Sequence, residues 1–177
     1  FFTTFCALSE AKGMDIKMRR TERAVTGTEE IKEILDSCKV CRLGLCDDGQ
    51  VYIVPMNYGY TYEEGRLTIY FHGAKEGRKL DIIKKHPSVG IEMDCSHELV
   101  EGALACQYSY YYASLIGNGR AEVVEEPEEK LKALGLVMKQ QTGKEFDEFK
   151  TNPKLEKAVG IIKVNVEQFS CKKHMKK

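Results

Sequence analysis

The chain has no net charge to offer a partner: 27 lysines and arginines stand against 27 aspartates and glutamates. That balance excludes bulk attraction to nucleic acid or to a membrane surface. No apolar run approaches the roughly 20 residues that a bilayer-spanning helix needs. The seven cysteines are too scattered for a disulfide scaffold and read as reduced thiols of a cytoplasmic protein. Neither an internal repeat nor a linker interrupts the 177 residues, which are expected to form one domain. Phe1-Phe2-Thr3-Thr4-Phe5-Cys6-Ala7-Leu8 lacks the basic start and the apolar length of a signal peptide. Residues 1–17 are therefore set aside as a disordered leader or expression-derived segment. The domain is assigned to residues 18–170, and the basic residues 171–177 to a frayed, solvated tail. Tryptophan is absent altogether.

The chemistry that is present gathers in Tyr70-Phe71-His72-Gly73-Ala74-Lys75-Glu76-Gly77-Arg78-Lys79-Leu80-Asp81. A strand-like run, Leu67 to Phe71, ends in His72, and a glycine-bounded turn carries Lys75 into a helix that opens with Arg78 and Lys79. A helix N-terminus offers unpaired N–H groups and the positive end of the dipole, and three nearby cations add charge-assisted donors. This points to a phosphate pocket beside His72. The alternative is a solvated helix start, where cations work against the dipole unless an anion is present.

Elsewhere the pattern is mainly β. Thr26 and Glu29 have capping-box spacing ahead of Ile31, Ile34, Leu35 and Cys38, which share one helical face. Val40 to Cys46 reads as a strand, closed by the turn Asp47-Asp48-Gly49 and completed as a hairpin by Val51 to Tyr62. Pro55 places an edge or a bulge there. Glu63-Glu64-Gly65 turns the chain again. His86-Pro87 stops the central helix, Ser88 to Asp94 is a further strand, and Cys95 to Ala105 reads as a polar loop. Gln107 to Val124 is a long β run. A helix opens at Pro127 with Leu131, Leu134 and Met138 as its buried stripe, and a short helical stretch follows Asn152-Pro153. Ile161 to Val166 is the last strand. Six or so antiparallel strands with two or three helices favour a small closed or split barrel over a doubly wound sheet.

Cys38 and Cys41 lie at a helix end running into a strand, the wrong setting for a reactive pair, and are read as packing residues; no metal site is assigned. Gly117 and Gly119 lack the third glycine and the helix of a dinucleotide fingerprint, and read as strand glycines that admit a close backbone or a flat ligand. Of Tyr108, Tyr110, Tyr111 and Tyr112, at most half can face one side of a strand.

These residues resemble a known family. Cys41 to Leu45, the hairpin Asp48 to Tyr58, the segment Tyr70 to Lys79 and Leu115 to Glu122 are similar to the pyridoxamine-phosphate-oxidase-like flavin proteins, nearest their nitroimidazole-resistance branch. The resemblance runs from about Arg19 to Phe169. It implies a mainly β, α+β fold: an antiparallel split β-barrel with a few peripheral helices, forming a homodimer that binds two FMN molecules between its subunits. Arg78 and Lys79 match the phosphate-binding pair, with Lys75 as helper. Val54, Pro55, Met56 and Asn57 match the strand passing the flavin ring, Phe71 and His72 its edge, and Ser114 and Ile116 the strand across from it. The segment that recognises the vitamin in the true oxidases, with its tryptophan, has no counterpart, so vitamin oxidation is not expected. The implied activity is that of a flavin-dependent nitroreductase, with His72 orienting the substrate or supplying a proton. The alternatives are a non-catalytic flavin carrier and a haem-binding relative with His72 as ligand.

Overall fold

The computed structural model describes residues 19–176, and the set-aside segment 1–17 lies outside them. Eight antiparallel strands form one sheet: β1 (Ala24–Val25), β2 (Cys41–Asp47), β3 (Gln50–Met56), β4 (Tyr58–Glu63), β5 (Arg66–Gly73), β6 (Ser88–Val100), β7 (Ser109–Val124) and β8 (Gly160–His174). Four α-helices accompany them: α1 (Thr28–Ser37), α2 (Arg78–Lys85), α3 (Pro127–Thr142) and α4 (Glu148–Thr151). The strand order is β3-β2-β6-β7-β8-β5-β4, with β1 beside β8. The two ends of that path, β3 and β4, are successive in the chain and separated only by Asn57. The sheet therefore curls until its edges meet at one residue, with no ladder joining them. This is a split barrel of the α+β class.

Alternation along the strands fills the barrel. Leu43, Leu67, Ile69, Phe71, Met93, Leu115 and Val164 point inward and are buried. Two tight turns are shaped by backbone sign: Asp48 and Gly49 (φ 48° and 89°), then Glu64 and Gly65 (φ 51° and 76°), the double left-handed pattern of a two-residue hairpin. Helix α1 buries Ile31, Ile34 and Leu35. Its last carbonyls, which have no partner within a helix, accept from two buried side chains. Tyr58 Oη donates to Leu35 O at 2.6 Å, and Gln140 Nε2 donates to Leu35 O at 2.7 Å and to Cys38 O at 2.9 Å. Helix α3 thus fastens α1 while it covers β4 and β5, forming a second core from Tyr70, Val124, Ala133, Leu134 and Ile161.

Several sequence expectations are corrected. Thr26 forms no capping box: α1 begins at Thr28 behind Gly27, with no side-chain cap, because Val25 is still held in β1 opposite Cys171. The expected strand Val51 to Tyr62 is two strands serving opposite sheet edges. Pro55 lies in β3, which pairs only with β2, so its missing N–H costs no ladder bond. The loop expected at Cys95 to Ala105 is strand as far as Val100. Ser96 (φ 58°) takes up a register shift between Cys95 and Glu98, and the long β7 supplies partners whatever the polarity of the side chains. The α3 stripe is Ala133, Leu134, Val137 and Gln140 rather than Leu131, Leu134 and Met138, because Gln140 turns inward to α1. The last strand does not stop at Val166. Its partners β7 and β1 carry it to His174, so Lys172 and Lys173, expected in a frayed tail, are strand residues.

Candidate functional site

The start of α2 is built by glycine. Gly77 stands at φ 130°, which side chains rarely adopt, and as the N-cap it brings no side chain to the helix. Leu80 N and Asp81 N both return to Gly77 O, while no cap occupies the N–H groups of the first two helical residues, Arg78 and Lys79. A Ser, Thr or Asp at that position would have filled one of them. The first turn is thus left open to an external acceptor.

Around it, three parts of the chain converge. A Cβ built on Gly73 would stand 3.3 Å from Lys79 Nζ and 3.9 Å from Met56 Cε, so the Lys79 stem lies across Gly73 beside the end of β3. The β4–β5 ladder ends at Tyr58 opposite Phe71. Continuing that register sets Asn57 level with His72 and Met56 level with Gly73. His72 and Gly73 therefore project past the start of β4, towards the split. Arg78 reaches over the Tyr52 ring, 4.5 Å from its centroid, and bonds Asp47 through Nε and Nη2 at 3.3 and 3.2 Å. Part of its charge is already met there. Lys75 and Lys79 form no ion pair among the described residues.

The eleven expected site residues do not all meet within one chain. Val54, Pro55, Met56 and Asn57, then His72, Lys75, Arg78 and Lys79, lie along the split and its helix start. Phe71 points the opposite way from His72 and is fully buried, so only its backbone is available. Asn57 Nδ2 is engaged with Lys39 O and Gln141 Oε1, both at 3.0 Å. Ser114 and Ile116 stand apart. The register runs Pro55–Arg42–Glu92–Ile116 across four strands, about 14 Å at ~4.8 Å per strand. They share the uncovered outer face with Val51, 76% exposed, and Ile53, 60% exposed. In the middle of that face the Arg42 guanidinium binds both Glu92 and Asp94, which raises the arginine pKa further. His97 Nε2 meets Asp94 at 2.7 Å.

Asp47 and Tyr52 escaped the sequence reading because nothing local marks them; they matter through the hairpin that swings them over Arg78. Behind β5, on the side of His72, lies another unforeseen group. Tyr70 Oη donates to Glu129 Oε1 at 3.0 Å, and Lys163 Nζ reaches the same carboxylate at 2.9 Å. Burial, then the Glu129 bond, pushes the Tyr70 phenol up to about 12. The Lys163 bond holds Glu129 below its ordinary value against the cost of burial. Gly117 and Gly119 admit a backbone, as expected: a Cβ there would meet Gln168 O at 2.5 Å and Asn165 O at 2.2 Å. Cys38 and Cys41 are buried, and no group of three or more His, Cys, Asp or Glu among the described residues could hold a metal ion.

A split barrel with an open helix start beside its seam defines a class, and comparison with known proteins gives the family. The pyridoxamine 5'-phosphate oxidase family matches residues 27–173, and the chain belongs to it. Among solved structures it is similar to a candidate 5-nitroimidazole antibiotic resistance protein from Bacteroides thetaiotaomicron. Identity is 30%, with 84% of this chain and 85% of that one covered, at a TM-score of 0.70. A flavocytochrome from Azotobacter vinelandii (20% identity, 90% and 72% covered, TM-score 0.70) shares the fold. So does an FAD- and haem-binding protein from Mycobacterium smegmatis (16%, 87% and 74%, TM-score 0.70). No curated protein matches the chain.

Proposed function

We propose that this protein is an FMN-dependent oxidoreductase acting on nitroaromatic or similar small acceptors, as a homodimer with its cofactor between the subunits. The observation that carries the reading is the uncapped start of α2 at the seam, with Arg78 and Lys79 beside Gly73 and the end of β3. These residues fit a phosphate: two unclaimed N–H groups, an unpaired lysine and a shared arginine, under a loop held close by glycine. A Cβ at Gly160 would lie 2.7 Å from Ala74 O, so glycine at that position is what lets the loop lie so close.

When bound, FMN supplies hydride transfer to the acceptor. The chain's own residues then bind and orient. Arg78 and Lys79, helped by Lys75, hold the phosphate. Val54 to Met56 at the end of β3, and Asn57 after it, lie at the free edge of the sheet, where a flat ring can be laid alongside the strand. His72, exposed and level with Asn57, orients the acceptor or gives it a proton, the two tasks an imidazole at that edge can perform. The separation of Ser114 and Ile116 from the helix start supports a dimer. A partner chain laid on the exposed Val51, Ile53 and Ile116 face would bring its own Ser114 and Ile116 to the ring.

The test is anaerobic. Reduced, FMN-loaded protein is mixed with a nitroimidazole and reoxidation is followed by absorbance. Reoxidation with stoichiometric nitro reduction is expected, slowed by roughly 100-fold in His72→Ala if the imidazole gives the proton. Reduced protein that no nitro compound reoxidises would leave a flavin carrier.

A further inference from the structure

A cleft at the far end of β7 is lined by Arg19, Arg20, Arg23, Ser109, Tyr112 and Lys172, with a volume of about 300 Å³. Four of its six lining residues are cations and none is acidic. Three elements assemble it. Pairing of β1 with β8 sets Ala24 opposite Lys172, which brings Arg23 and the single turn before it alongside that lysine. The opening of β7 supplies the Ser109 hydroxyl and, on the strand face that Lys172 shares through its pairing with Ser114, the Tyr112 ring.

Arg23, Ser109, Tyr112 and Lys172 are all half-buried. Neither Lys172 nor any of the three arginines forms an ion pair among the described residues. The contrast with their neighbour Lys173, which meets Glu33 at 3.6 Å, shows that carboxylates are within reach on the other face of β8. Gathering like charges in a concave, partly desolvated place is costly unless an anion offsets it. Arginine forks with a hydroxyl are the donor set for phosphate oxygens. A chain with no net charge has no electrostatic reason to concentrate cations here for solubility.

We propose that this cleft is a second anion site, which takes the phosphate or pyrophosphate group of a small molecule. It does not depend on the flavin reading. The two places are separate along β7: Tyr112 lies roughly 27 Å, at about 3.4 Å per residue, from Arg120, beside which the chain leaving α2 bonds to the strand (Ala121 N to Pro87 O). The position two residues from Ser114 on the same face puts a bound phosphate within a small molecule's reach of the outer sheet face.

Calorimetric titration with inorganic pyrophosphate and with inorganic phosphate, on protein first saturated with FMN, tests the proposal. Pyrophosphate is expected to bind more tightly than phosphate, and to weaken as sodium chloride is raised. Binding should fall at least about tenfold in Arg23→Ala with Lys172→Ala. Arg20→Ala, a fully surface change that cannot upset the core, should weaken it in the same direction. Arg78→Ala with Lys79→Ala should keep pyrophosphate binding even as it loses FMN, which separates failure of one site from failure of the other. No pyrophosphate binding to the parent protein, or binding unchanged in both cleft variants, would overturn the assignment. So would loss of pyrophosphate binding only on mutation of the Arg78–Lys79 pair.

Discussion

Cys38, Cys41 and Cys171 are buried, whereas Cys46 and Cys106 are exposed and Cys95 is intermediate. Burial pushes the Cys41 and Cys171 thiols up to about 12. Cys38 is raised further, by burial and then by neighbouring Cys95. Since the thiolate is the reactive form, brief alkylation of native protein at pH 8 should label Cys46 and Cys106 and spare Cys38, Cys41 and Cys171 until denaturant is added. Peptide mass spectrometry reads this directly, and rapid native labelling of Cys38 or Cys41 would contradict the burial. The inert character of that pair was legible in the sequence from its place at a helix end. The roles of Asp47 and Tyr52 were not, because a carboxylate and a ring acquire meaning only once a hairpin has brought them to Arg78.

At the scale of elements, α3 packs closely on β4. A Cβ on Gly59 would stand 2.4 Å from Leu136 C and Val137 N, both backbone atoms of the helix. Gly59→Ala must push α3 outward, and is expected to cost roughly 2–3 kcal/mol, measured by chemical denaturation; a neutral result would mean that the helix packs otherwise. The same helix carries Glu129, whose carboxyl is held below its usual value of 4.5 by Lys163 and Tyr70. A carboxyl depressed in the folded state adds stability that is present above its unfolded pKa and lost as pH falls through the folded value. Glu129→Gln should therefore cost on the order of 1 kcal/mol at pH 7, after allowance for solvent screening, and the deficit should shrink below pH 4. Denaturation at both pH values checks it. Turns and strand starts were legible, since Asp48-Gly49, Glu64-Gly65 and His86-Pro87 act locally. The ends of β6 and β8 were not. Their outer halves have no one-sided burial to impose alternation, and they exist because β7 is long enough to pair with both.

For the whole molecule, the fold class followed from counting antiparallel strands against few helices. The position of the split did not, because only the three-dimensional path shows that β3 and β4, adjacent in sequence, are the two edges of one sheet. That seam gathers Val54 to Asn57, His72 and the Arg78–Lys79 helix start. It leaves Ser114 and Ile116 about three strand widths away, roughly 14 Å, on a face with exposed valine and isoleucine. The geometry suits a cofactor shared between two chains, with its phosphate on one and its ring covered by the other. FMN titration of the purified protein, followed by the change in flavin absorbance and compared with Arg78→Ala combined with Lys79→Ala, tests this most directly. The account predicts a flavin spectrum with saturable binding in the parent protein, and affinity lower by at least about 100-fold in the double variant, at roughly tenfold per lost charge-assisted contact. Absence of FMN binding, or equal affinity in both proteins, would contradict it.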